Sequence, residues 1–109
     1  MTTQSRRAYD RLEVDLSVTI GHNDRVFEAT CRNISQGGMF IETELLPMGD
    51  PIEVTFELPD HKEKIVAQAT VMWAEREPQV GVGVKFAGLR AIEVWAINQL
   101  FRRRSRGEL

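Results

Sequence analysis

The sequence predicts an all-β domain, a six-stranded antiparallel β-barrel with a C-terminal α-helix. Three observations carry that prediction: apolar residues alternate with polar ones in six separate runs, clusters of turn-forming residues divide the runs at hairpin distances, and from Leu89 onward the apolar spacing changes to three and four. Six short antiparallel strands leave edges that must be hidden, and closure into a small barrel hides them. With 109 residues, 42% of them hydrophobic and 28% charged, the chain has apolar material for one core and not for two domains.

The first run is the clearest. Leu12, Val14, Leu16, Val18 and Ile20 alternate with Glu13, Asp15, Ser17 and Thr19, which describes a strand with one wet and one buried face. Gly21 to Asp24 are turn formers, and Phe27, Ala29 and Cys31 resume the alternation, so the two runs pair as a hairpin. The stretch Arg32-Asn33-Ile34-Ser35-Gln36-Gly37-Gly38 ends the second strand, and Met39 and Ile41 begin the third. A loop through Leu46, Pro47 and Gly49 leads to a fourth run, Ile52, Val54, Phe56 and Leu58. Ile65, Ala67, Ala69, Val71 and Trp73 form the fifth, and Val80, Val82, Val84 and Phe86 the sixth. Gly81 and Gly83 share the other face of that last strand, which implies close approach by a backbone, a ligand or an aromatic ring.

Leu89, Ile92, Ala96 and Leu100 then recur at helical spacing, Val94, Trp95, Ile97 and Phe101 widen the stripe, and Arg102 to Arg104 follow in the last turn. The expected layout is a flexible N-terminal arm over residues 1–11, a single domain over 12–104 (barrel about 12–88, helix about 89–102) and a tail over 105–109. Trp73 and Trp95 are read as core or helix-to-barrel packing. The arginines from Arg102 to Arg106 suit a helix end that complements the helix dipole, with contact to a partner or an acidic surface as the other reading.

Charge is distributed unevenly. Arg6, Arg7 and Arg11 against Asp10 give the first eleven residues +2, the last nine carry +3, and the net charge of -2 leaves -7 for the middle. An acidic body with arginine-rich ends argues against a broad nucleic-acid-binding face and suits capture of a small anion by one end. Cys31 stands alone in a strand-like run and is read as a buried thiol. His22 and His61 each lie in a predicted turn without a second ligand at metal spacing, and no nucleophile with a base, phosphate loop or paired carboxylates stands out. No metal, cofactor or catalytic residue is therefore expected. The N-terminus lacks the apolar run of a signal peptide and no window is long enough for a membrane span, so a cytoplasmic protein without membrane insertion is expected.

The candidate site joins the arm before the first strand to the turn after the second. Arg7 and Arg11 stand four apart before the first strand, and each guanidinium offers five donors in a planar fork that matches phosphate oxygens and can also bond or stack on a purine. Asn33 and Ser35 are i and i+2 on an extended segment and so share a side, with Gly37 and Gly38 relaxing the turn after them. An Asn side chain both donates and accepts, which fits a base edge. These two continue the phase of Phe27, Ala29 and Cys31, so either the strand has bent by that point or the polar groups line a rim where a ligand satisfies them.

Together these residues resemble the PilZ domain family, whose pattern is R-x-x-x-R followed some twenty to thirty residues later by [D/N]-x-S-x-x-G. Here the pattern reads Arg7-Ala8-Tyr9-Asp10-Arg11 and Asn33-Ile34-Ser35-Gln36-Gly37-Gly38, and the strand order, the Gly81 to Phe86 strand and the trailing helix resemble that family too. The resemblance implies a barrel that senses the bacterial second messenger cyclic di-GMP. Arg6, Arg7 and Arg11 would grip it from the arm, Asn33 and Ser35 would bond a guanine, and Gly37 and Gly38 would allow the turn. Arg6, directly before the first motif arginine, looks like the type of member that takes an intercalated nucleotide pair. On this reading the protein is a receptor or adaptor, not an enzyme, whose arm orders on binding and which regulates a partner protein in motility, adhesion or exopolysaccharide export. Two rivals are a module of the same fold that works through protein interaction without nucleotide, and an RNA-binding barrel, which the acidic body disfavours.

Overall fold

A computed structural model describes residues 11–108. Six strands and one helix follow in order: β1 Leu12–His22, β2 Arg25–Ile34, β3 Gly38–Glu42, β4 Pro51–Phe56, β5 Ile65–Glu75, β6 Gly81–Ala87 and α1 Ala91–Ser105. The strands form a closed barrel in the order β1-β2-β3-β6-β5-β4, antiparallel at every step. The seam is the short β1–β4 ladder, where Thr19, Ile20 and Gly21 face Thr55, Val54 and Glu53. The predicted all-β barrel with a C-terminal helix is the observed fold.

Alternation decides which side chains fill the barrel. Ile20, Ile34, Met39, Ile41, Val54 and Ile65 are fully enclosed, each worth about 1.5–3 kcal/mol of burial. The β1–β2 turn is tighter than the sequence suggested, because Gly21 and His22 still belong to β1 and only Asn23 and Asp24 make the reversal. Asn23 takes φ 55°, a left-handed conformation that Asn tolerates better than most residues. His22, expected in that turn, is a buried strand residue with its Nε2 2.8 Å from Asp50 Oδ2.

Several boundaries move for local reasons. β4 ends at Phe56, although Leu58 beyond it is still buried. Val80 lies outside β6 and is 47% exposed, so it does not share the inward phase of Val82 and Val84. The glycines of β6 do meet aromatic rings: a Cβ at Gly81 would stand 2.7 Å from the Phe40 ring, and one at Gly83 would stand 2.1 Å from the Trp73 indole.

α1 begins at Ala91, not Leu89, because Arg90 is still extended and its backbone N–H donates to the Glu93 carboxylate at 2.8 Å. Burial pushes the Glu93 pKa up, but the bonds from the Arg90 backbone and guanidinium outweigh it and hold the carboxyl below its ordinary value. The helix buries a narrower face than expected, centred on Glu93, Ala96, Ile97 and Leu100. Ile92 and Trp95 are 52% and 47% exposed, so Trp95 does not pack between helix and barrel as its place in the stripe suggested.

The arginines at the helix end are structural ties. Arg103 bonds Asp60 through two nitrogens at 2.7 and 2.9 Å, Arg104 donates to the Glu13 carbonyl, and Arg106 pairs with Glu108. Arg103 and Arg104 fasten the helix to the β4–β5 turn and to the start of β1, while the Arg106 pair is local to the tail.

Candidate functional site

Two β-bulges build the site. Between β2 and β3 the register runs from Cys31↔Ile41 to Asn33↔Phe40, so Arg32 and Asn33 together face one residue of β3. The extra residue breaks the alternation: Cys31 and Ile34 are both fully buried, and Asn33 is turned to the outer face, where it is half-buried. Of the two possibilities the sequence left open, the strand has bent. β5 repeats the device, stepping from Val71↔Val84 to Trp73↔Gly83, so that Met72 and Trp73 together face one residue of β6.

Asn33, Phe40, Gly83 and Trp73 therefore form one row across β2, β3, β6 and β5. Trp73 leans over Gly83, whose missing side chain leaves room for the ring. Arg11, just ahead of β1, closes the row from above. Its Nη1 donates to Asn33 Oδ1 at 2.7 Å, and its guanidinium carbon stands 5.3 Å from the centre of the Trp73 ring, within cation–π range. Two residues 22 apart in sequence, both singled out from the sequence, thus meet on the outer barrel wall.

Ser35 plays a different part. It is only 3% exposed, its N–H donates to the Gly38 carbonyl at 2.8 Å, and its Oγ accepts the Gly37 N–H at 3.2 Å. The hydroxyl shapes the β2–β3 turn from within, as Ser does in side-chain-closed turns. The Gly37 carbonyl in turn accepts the Phe86 N–H at 2.8 Å. Gly38 is required by proximity, since a Cβ there would stand 2.0 Å from the Val84 carbonyl oxygen. Arg6 and Arg7 lie outside the described residues.

Cys31 lies directly beneath this face with its Sγ 3.1 Å from the Asn33 carbonyl. Burial pushes its pKa up to about 12, against the opposing pull of that hydrogen bond and of the Arg11 charge, so the thiol stays protonated and inert. Among the described residues no group of three or more His, Cys, Asp or Glu side chains is placed to hold a metal. His61 directs Nδ1 to the Glu63 carbonyl at 2.7 Å. Among the same residues no helix is long and apolar enough to cross a membrane.

The family model for the PilZ domain matches residues 5–103. The chain belongs to the PilZ domain family. Solved structures share its fold at low identity. MotI/DgrA, the inhibitor of motility of Bacillus subtilis, superposes with a TM-score of 0.80 at 20% identity, covering 96% of this chain and 54% of its own. The PilZ domain of YcgR from Escherichia coli, solved with cyclic di-GMP, gives 0.66 at 12%, covering 96% and 100%. PlzA of Borreliella burgdorferi, also in complex with cyclic di-GMP, gives 0.68 at 14%, covering 85% and 40%. The chain spans about half the length of MotI/DgrA. No curated protein matches the sequence.

Within this PilZ domain, sequence reasoning missed Trp73 and Phe40 as parts of the site. The sequence reading places Trp73 in the core or between helix and barrel, yet it lies on the outer wall with a face toward Arg11. The signal was present in Gly83, the glycine that makes room for the ring on the neighbouring strand.

Proposed function

We propose that this PilZ domain is a cyclic di-GMP receptor or adaptor, without catalysis of its own, that binds the nucleotide between its N-terminal arm and the Asn33–Gly38 turn. The observation that carries this reading is the meeting of Arg11 and Asn33 beside the Trp73 ring. A guanidinium held by an amide and an aromatic face has already lost part of the rotamer freedom that binding would otherwise cost. The planar guanidinium fork suits a phosphate, and the Asn33 amide suits a guanine edge. Micromolar binding needs about 8 kcal/mol, and charge-assisted bonds supply about 1.5–3 kcal/mol each. Arg11 alone is too little. Arg6 and Arg7 joining it, with Asn33 beside the turn that Ser35, Gly37 and Gly38 shape, reach that range.

On this reading residues 1–11 act as the arm, docking on the nucleotide and changing the surface offered to a partner protein in motility, adhesion or exopolysaccharide export. Arg6 favours an intercalated pair over a single nucleotide. Calorimetric titration with cyclic di-GMP tests the proposal. Saturable heat at micromolar concentration, lost in Arg7→Ala and in Asn33→Ala, is the expected result, and a stoichiometry of two per chain supports the pair. Absence of heat at tens of micromolar overturns it.

A second reading, a nucleotide-independent interaction module, draws support from Ser35, whose hydroxyl is buried and engaged within its own turn. The same titration separates the two.

A further inference from the structure

We propose that Asn98, on α1, is a positioning residue for the nucleotide turn, acting through Gln36; the nucleotide itself is taken from the reading above. The turn is fastened to the barrel on one side by Ser35 N–H to Gly38, Gly37 N–H to Ser35 Oγ, and Phe86 N–H to the Gly37 carbonyl. Its other side faces the helix. There the Gln36 Nε2 donates to Asn98 Oδ1 at 2.7 Å, across 62 residues of sequence and in a half-buried setting. Gln36 occupies one of the unspecified positions of the N-x-S-x-x-G pattern, so the pattern gives it no role.

The helix is well placed to hold the turn. Asn98 is flanked by Ala96, Ile97 and Leu100, which are 0%, 0% and 4% exposed, so the helix is seated firmly at this level and cannot roll without opening the core. Six residues further on, Arg104 donates to the Glu13 carbonyl, and Glu13 is the β1 residue directly opposite Asn33. α1 therefore grips the chain on both sides of Asn33: across the ladder at Glu13, and beyond the strand end at Gln36. The Arg103–Asp60 pair fixes the end of the helix that carries Arg104.

A turn held in its binding shape spares the ligand the cost of ordering it, so loss of the Gln36–Asn98 bond weakens nucleotide binding even though neither residue belongs to the motif. Coupling is reciprocal, and an occupied turn secures α1 by the same factor.

The test compares Asn98→Ala with Asn98→Asp, which keeps an oxygen to accept from Gln36. Amide hydrogen exchange on the nucleotide-free protein is read at Ser35 and Gly37, and at Gly49 and Val71, whose N–H groups donate to the Val71 and Asp50 carbonyls and mark a region away from the turn. Asn98→Ala is expected to speed exchange at Ser35 and Gly37 about fivefold while Gly49 and Val71 stay as they were, and to weaken cyclic di-GMP binding by a similar factor in calorimetry. Asn98→Asp is expected to restore both. The proposal is overturned if Asn98→Ala binds as tightly as the parent, if Asn98→Asp is as weak as Asn98→Ala, or if exchange rises equally at all four amides, which marks general loosening. A parent protein that fails to bind cyclic di-GMP sinks the receptor reading instead, and the exchange at Ser35 and Gly37 then decides alone whether Asn98 orders the turn.

Discussion

The β4–β5 ladder and the β1–β2–β3 ladders obey different rules in one barrel. From Pro51↔Thr70 to Phe56↔Ile65 the β4–β5 register advances one residue against one without a break. The β1–β2 ladder slips between Glu13 and Leu16, and the β2–β3 ladder between Cys31 and Asn33. The third break, in β5–β6, falls between Val71 and Trp73. Both kinds of ladder fill the core, with Val54 and Ile65 from the regular ladder and Ile34 and Ile41 from an irregular one. Irregular ones bring Asn33 and Trp73 out onto the face that Arg11 approaches, because one extra residue moves a side chain from the inner to the outer surface. On the proposed reading the register breaks serve binding while the unbroken registers serve stability alone, and substitutions can be chosen to test that division.

The largest effect belongs to another unbroken register, the β1–β4 seam. Ile20 is fully buried at the β1–β4 seam, and Ile20→Ala is expected to cost about 3 kcal/mol in urea unfolding through lost burial and a residual cavity. Nucleotide affinity of the folded fraction should not change. A large affinity loss in a protein that is still folded would break the division between ladders.

Next comes Gly38, where the two roles meet. A Cβ at this position would stand 2.0 Å from a carbonyl oxygen of β6, so Gly38→Ala must push β3 and β6 apart where the turn ends. Overpacking of this kind costs about 2 kcal/mol, read as a lower Tm, and the displaced turn is expected to lose nucleotide binding at a temperature where the protein remains folded. Retained binding would mean that the turn tolerates a shifted β3.

How far the site could be read beforehand follows from the same contrast. The alternation from Leu12 to Ile20 is visible because each inward residue is apolar, and the strand it predicted is present. Gly81 and Gly83 announced close approach by a backbone, a ligand or a ring, and the Ile41 carbonyl and Phe40 ring at Gly81 and the Trp73 ring at Gly83 supply it. The bulges left no such mark. Arg32 and Met72 are ordinary strand residues in composition, and Cys31, Asn33 and Ser35 continue the preceding phase on paper even though Arg32 shifts it in space. The arginines after Phe101 were equally opaque, because a cluster's charge suggests a surface role while its partners, Asp60 and the Glu13 carbonyl, lie more than forty residues away. Local pattern predicts elements well; a one-residue slip or a long-range tie depends on which strands become neighbours, and the chain alone does not display that.

Trp73 gives the smallest effect and the sharpest discrimination. Leu in its place still covers Gly83 with apolar atoms but offers no π-face to Arg11, so Trp73→Leu isolates the ring's electrostatic part from its packing. A cation–π contact at a partly exposed site is worth about 0.5–1 kcal/mol, which corresponds to an affinity loss of about two- to fivefold for cyclic di-GMP. The Asn33 bond remains and keeps the loss small. Without nucleotide, the Arg11 Nε–H resonance is expected to sharpen toward that of a mobile side chain in Trp73→Leu, and Trp73→Phe should fall between the two. If Trp73→Leu leaves both the resonance and the affinity as in the parent, the bulge in β5 serves only to cover Gly83, and binding on this face belongs to β2 and the arm alone.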